Sequence, residues 1–252
     1  MNNQQTNWLE RPIFPALPAI TYEVALFGGI MLLAIITRFY DLGTRVMSHD
    51  ESLHTYFSWL LYRGQGYEHS PMMHGPFQFH AIALTYFLFG ASDFTARIPA
   101  VLFSIATVGM VWHWRRYLGN WGMIIAAFLM TVSPYMLYYG RYVRNEAFVG
   151  LSGIVLLYAL LRYLESGERK FLYYIAAATL LHFTSKETAF IYTAQALLFL
   201  GFFFISRVTR KPWVRRDLLR IFILLLASAA LLASAGAAFS LISNNPGALT
   251  AT

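Results

Sequence analysis

The sequence predicts an all-α, polytopic membrane protein with about seven spanning helices and two interfacial helices in its first outer loop. Three observations carry this. Hydrophobic residues make up 58% of the 252 positions and charged residues only 12%, a balance too apolar for a soluble domain. Apolar runs near the length that crosses about 30 Å of hydrocarbon recur along the whole chain. The basic residues punctuate those runs, so the net charge of +7 belongs to membrane topology and no nucleic-acid partner is expected. With no cysteine present, neither a disulfide framework nor a thiolate metal site can form.

Residues 1–19 read as a polar cytoplasmic tail without the basic start of a signal peptide. The module from 20 to 242 then holds seven apolar runs, at 20–37, 94–113, 121–139, 147–163, 171–185, 188–206 and 218–241. The fifth is the shortest. An eighth run, Pro76 to Gly90, reaches about 21 Å as a helix, short of a span. Gln78, His80 and Thr85 suit it to the interface plane. "HDESLHTYFSWLLYRG", opened by polar residues around Asp50, reads as the other interfacial helix. Both fall in the long stretch 38–93, and a structured outer loop of that length is usually functional. Residues 243–252 form an extracytoplasmic tail. The basic residues support this arrangement: with the amino terminus inside, twelve Lys and Arg lie on the cytoplasmic side and seven outside, and the run "RVTRKPWVRR" falls inside. The protein is therefore expected in the cell membrane with its site on the extracytoplasmic face.

On that face the sequence collects Asp50, Glu51 and Glu146 with Arg141, Arg144 and Lys186. Acids and cations converging at a membrane surface suit an anionic, lipid-linked substrate. A carboxylate within reach of an acceptor hydroxyl can act as its general base. Fixed cations can meet the charge that develops on a phosphate leaving group, and a divalent cation held by paired acids is the other way to do so. Each residue also has a purely structural reading. Asp50 could cap the following helix, Glu51 could complement its dipole, and Arg141 and Arg144 could snorkel. Lys186 could simply pair with Glu187. His49, His54, His69, His74 and His80 match no strong ligand spacing, so no metal ligands and no cofactor are assigned.

Five stretches in order, "HDESLHTYF", "HGPF", "GASDFTARIP", "YYGRYVRNEAF" and "SKETAF", resemble the GT-C superfamily of polytopic glycosyltransferases. The relatives include the dolichyl-phosphate-mannose–protein mannosyltransferases, the lipid A aminoarabinose transferases and a subfamily described as flippase-activity-associated or mannosyltransferase-like. The resemblance runs from about Arg38 to Phe190. It implies transfer of a sugar from a polyprenyl-phosphate donor to a hydroxyl acceptor, with membrane lipid as surroundings. Asp50 matches the catalytic aspartate, Glu51 its neighbour, and Glu146 an acid at the second outer turn. Lys186 matches a lysine that binds donor phosphate in the aminoarabinose transferases, with Arg141 and Arg144 as further phosphate-binding candidates. His74 of "HGP" falls near the second part of the first-loop site and is a substrate-binding candidate. The sequence departs from relatives at Leu53, where they carry arginine. It also ends where they continue into further spans and an outer domain. A catalytically silent subunit, completed by another membrane chain, is therefore the first alternative. A lipid-linked sugar flippase or its accessory is the second, disfavoured because the spans are nearly free of ionisable residues.

Overall fold

The computed structural model describes residues 8–13, 20–68, 74–213 and 215–244. Of the two expected tails only 8–13 and 243–244 are described, and His69 lies outside the described residues. Among the described residues every regular element is helical. Two compact units divide the chain, Met1–Ala196 and Leu197–Thr252.

The first unit begins with a 3-10 turn, Trp8–Glu10, and α1, Tyr22–Phe39. Helix α1 starts where Thr21 accepts a hydrogen bond from the Val24 N–H at 3.3 Å, a capping arrangement that satisfies one of the helix's orphan donors. The loop that follows carries α2, His49–Tyr62, and α3, Phe77–Phe89. At 14 and 13 residues each reaches only about 20 Å, as expected of helices that do not span. Helix α4, Asp93–Met110, is opened by Ser92 and Thr95, which exchange side-chain to backbone bonds at 3.0 and 3.2 Å. A 3-10 turn, Val111–Trp114, leads into α5, Arg115–Val132, which bends at Gly119. Then come α6, Pro134–Tyr139, α7, Glu146–Ser166, and α8, Lys170–Ser185. Helix α9, Ala189–Arg210, contains the boundary between the units, and α10 is Arg216–Asn244.

Five helical stretches are long and apolar enough to cross a membrane: Tyr22–Phe39, Asp93–Val132, Glu146–Ser166, Ala189–Arg210 and Arg216–Gly236. The second holds both α4 and α5, two of the expected runs. Helix α8, the expected short fifth run, has 16 residues. The third run, expected as one segment over 121–139, is divided. Pro134 lacks the N–H that would continue α5 and instead opens α6 behind Ser133, whose hydroxyl accepts from the Met136 N–H.

In the first unit α1 packs on α4 and α5, α4 on α7, α7 on α8, and α2 on α3, which in turn meets α4 and α8. Small residues set the closest approaches: Ala34 and Ala127 are fully buried beside Val108 and Met123, as expected of helices that associate by close contact within lipid. A second cluster, Ile82, Tyr86, Ala96 and Val143, seats α3 on α4 and on the 140s loop. The broken joint between α5 and α6 is held by Arg38. This buried arginine in the last turn of α1 donates to the Met130 and Thr131 carbonyls at 3.1 and 3.3 Å and to Ser104 Oγ at 3.0 Å. It thereby caps carbonyls that α5 leaves without helical partners.

The two ends of the first unit differ in charge chemistry. At one end Arg115 pairs with Glu23 at 2.8 Å and Glu10 at 3.0 Å, and Arg116 with Glu165 at 3.0 Å. At the other, α2 meets the start of α4 through Glu51 and Arg97, and α3 meets the start of α7 through Phe77 and Phe148 and packs on α8. In the second unit Trp213 and Phe204 both contact Phe222, joining the end of α9 to α10.

Candidate functional site: an ion-pair chain beside an aromatic cavity

The local sequence sends two neighbouring acids in different directions. Ser48, not Asp50, occupies the N-cap of α2, and Glu51 accepts from the Ser48 N–H at 3.2 Å, as an acid three positions into a helix can. Its two oxygens also accept a forked pair of bonds from Arg97, at 3.0 and 3.1 Å. Arg45 donates at 2.8 Å and the Val143 N–H at 3.2 Å. Glu51 is completely buried. Burial alone would raise its pKa, but the bonds from Arg97, Ser48 and Val143 outweigh that and hold the carboxyl below its ordinary range. Arg97 also donates to the Leu42 carbonyl at 2.7 Å. Glu51 thus ties together the α1–α2 loop, α2, α4 and the 140s loop, and has no face open to a substrate.

Asp50 is half exposed, at 48%. Arg144 reaches it at 3.1 Å and Glu146 at 3.7 Å, and Lys186 reaches Glu146 at 2.7 Å. Glu146 is the first residue of α7, and Lys186 is the residue that ends α8. The four form a continuous chain of alternating charge, Asp50–Arg144–Glu146–Lys186. Glu187 is not the partner of Lys186; it accepts from His74 at 2.7 Å, which helps hold its carboxyl below the ordinary range.

The "HGP" stretch is fixed against the α8–α9 turn by its backbone. His74 has φ of 64°, and the Gly75 N–H donates to the Ser185 carbonyl at 3.1 Å. A Cβ at Gly75 would collide with the Thr184 carbonyl oxygen, so only glycine fits this approach. His74 therefore joins the site one residue away from Lys186. Arg141 does not join it: its guanidinium turns to the Tyr40 carbonyl.

A cavity of about 300 Å³ opens beside the chain, lined by Tyr135, Tyr139, Tyr192, Thr188 and the inner face of α4, with Glu146 and Lys186 as its charged residues. Tyr135, Tyr139 and Gly140 reach it because Gly140 lies directly against Ser104, leaving no room for a Cβ.

Sequence reasoning missed three parts of this arrangement. Arg97 had a signal, a charge five residues into an apolar helix, where a charge needs a partner. Arg45 had none, and His54 was weighed only as a metal ligand. His54 is buried, its Nδ1 has no partner among the described residues, and its pKa is pushed down to about 4. Burial is the main cause, and the charges of His74 and Arg144 add to it. It stands beside the ion-pair chain as a neutral imidazole.

The profile of the dolichyl-phosphate-mannose-protein mannosyltransferase family matches residues 73–236. This chain belongs to that family. No curated protein and no solved structure matches it. The mannosyltransferase family lies in the GT-C superfamily, and membership together with the apolar helices makes this a membrane protein whose family implies a lipid-linked sugar donor. The stretch matched by the mannosyltransferase profile contains Arg97, Arg144, Glu146 and Lys186, whereas Asp50 and Glu51 precede it. A divalent cation does not fit the acids as they stand. Glu51 faces Arg97, Asp50 and Glu146 share Arg144, and among the described residues no three His, Asp or Glu side chains gather as a ligand set.

Proposed function

We propose that the protein transfers a sugar from a polyprenyl-phosphate donor to a hydroxyl acceptor on the extracytoplasmic face of the membrane. The observation that carries this reading is the Asp50–Arg144–Glu146–Lys186 chain, which joins a half-exposed carboxylate to a cation in an aromatic-lined cavity.

Asp50 takes the proton from the acceptor hydroxyl as that oxygen bonds to the sugar's anomeric carbon. The bond from that carbon to the donor phosphate breaks, and its electron pair leaves on the phosphate oxygen. Lys186 and Arg144 meet this charge in a partly dehydrated site. Glu146 holds both cations in place before the donor arrives. His74, through Glu187, fixes the turn that presents Lys186, and Glu51 positions the helix that presents Asp50.

The orientation is supported by the basic residues. Of the seven assigned to the outer side, Arg38 and Arg97 are buried, which leaves the cytoplasmic excess at the water-facing surface larger than the sequence count suggests.

The test is transfer from a radiolabelled polyprenyl-phosphate hexose in proteoliposomes of the purified chain, with active family members alongside. Loss of transfer in Asp50→Asn, with donor binding kept, supports the mechanism. Absence of transfer by the unaltered chain across several donors, with the controls active, would sink it.

A further inference from the structure

A second cavity, of about 270 Å³, lies on the opposite side of α6 from the first. Leu42, Arg45, Arg97, Leu137, Tyr138 and Arg141 line it. The short helix α6 is the wall between the two. Tyr135, Met136 and Tyr139 face the Lys186 cavity, while Leu137 and Tyr138 face this one.

Its charge is unbalanced. Three guanidinium groups line the cavity, and the one carboxylate that pairs with any of them, Glu51, is already fully engaged by Arg97, Arg45 and two backbone N–H groups. Arg97 has committed its fork to Glu51 and its remaining terminal nitrogen to the Leu42 carbonyl. Arg141 makes no ion pair among the described residues, and it donates to the Tyr40 carbonyl. Arg45 gives one nitrogen to Glu51, and its guanidinium rests 5.3 Å from the ring centres of both Tyr138 and Tyr142. Arg45 and Arg141 are therefore held in place with donors to spare. They stand just past the end of α1, at the level where a spanning helix gives way to the headgroup region. Two preset guanidinium forks with a net positive charge recognise tetrahedral oxyanions.

We infer that this cavity is a phosphate-binding site separate from the one at Lys186, occupied by the phosphate of an anionic lipid or by free phosphate. The site does not depend on the transfer reaction. It removes Arg141 from the donor site and gives it an anion of its own.

The test uses the full chain in dodecyl maltoside, a phosphate-free detergent, with phosphatidic acid as the lipid probe and inorganic phosphate as the free one. Native mass spectrometry counts retained lipid, and thermal stability reads phosphate binding. The wild type should retain phosphatidic acid about tenfold more tightly than Arg141→Gln or Arg45→Gln, the loss expected for one charge-assisted bond. Arg141→Lys, which keeps the charge without the fork, should fall between. Lys186→Met should retain the lipid fully, even though it weakens transfer, which separates failure here from failure of the transferase reading. If inorganic phosphate stabilises the wild type and not Arg141→Gln, while the lipid is not retained, the site stands and its occupant is the free ion. Equal binding of both probes by wild type and the arginine variants, or loss of the lipid in Lys186→Met, overturns the inference.

Discussion

At the residue scale, Asp50 and Glu51 are neighbours with opposite surroundings, and variants should separate them. Arg97→Met removes two bonds from a carboxylate that is wholly buried. Breaking a buried pair from one side costs about 3–5 kcal/mol, so this variant should lose several degrees of melting temperature. Adding Glu51→Gln to it should restore part of the loss, because no charge is then left stranded. Asp50→Asn, at a half-exposed position, should melt like the wild type while transfer falls about 10²- to 10⁴-fold. Acid should act in two windows. The His54 pKa lies at about 4 in the folded state against about 6.5 unfolded. The stability it contributes is complete above pH 6.5 and is lost between there and about 4, roughly 3 kcal/mol in total. His54→Asn should abolish that slope. Glu51, with its folded value depressed, contributes stability that persists above the ordinary carboxylate range and disappears as pH falls through its folded value. Unfolding of Glu51→Gln should lack this second, more acidic limb. The sequence places Asp50, Glu51 and His54 in one loop but does not tell which of them are buried, because burial of Glu51 depends on Arg97, 46 positions away.

At the element scale, the sequence read the helices well and their joints less well. The two short helices of the first loop stand where periodicity and length put them. The break at Ser133–Pro134 carried a readable signal, a capping hydroxyl followed by proline at the first helical position. The unbroken apolar character of 121–139 overrode it, because hydrophobicity reports surroundings and is silent on backbone continuity. The joint then depends on Arg38, whose bonds to Met130 and Thr131 no local pattern announces. The "HGP" turn makes its own prediction. Gly75→Ala should push the turn away from the Thr184 carbonyl and cost the Ser185 bond and the His74–Glu187 contact. Transfer should fall, with the melting temperature changed less than in Arg97→Met. Faster proteolysis within 63–76 would show the displacement directly, and unchanged cleavage would count against it.

At the scale of the whole molecule, the prediction concerns sidedness. The chain has no cysteine, so single cysteines can be introduced without altering any native thiol. His49 is 94% exposed beside Asp50, and Glu168 lies in the turn between α7 and α8, at the opposite end of the first unit. In intact cells a membrane-impermeant maleimide should label His49→Cys and should reach Glu168→Cys only after permeabilisation. The reverse pattern would invert the proposed topology. An expectation of sidedness was legible, because charge balance is written along the chain, and the labelling tests it. The two cavities were not, since they arise where α6 turns its faces to different neighbours. That placement has a consequence for how the chain can change over time. Each residue added to a helix turns those after it by about 100°. A single insertion near the start of α6 would therefore swing Tyr139 and Arg141 away from the spaces they now face. Gly140 and Arg141 already limit what can be substituted along this stretch, and its length is locked as well: lineages descended from this chain should gain and lose residues just after α2, at 63–68, and not between Ser133 and Arg141.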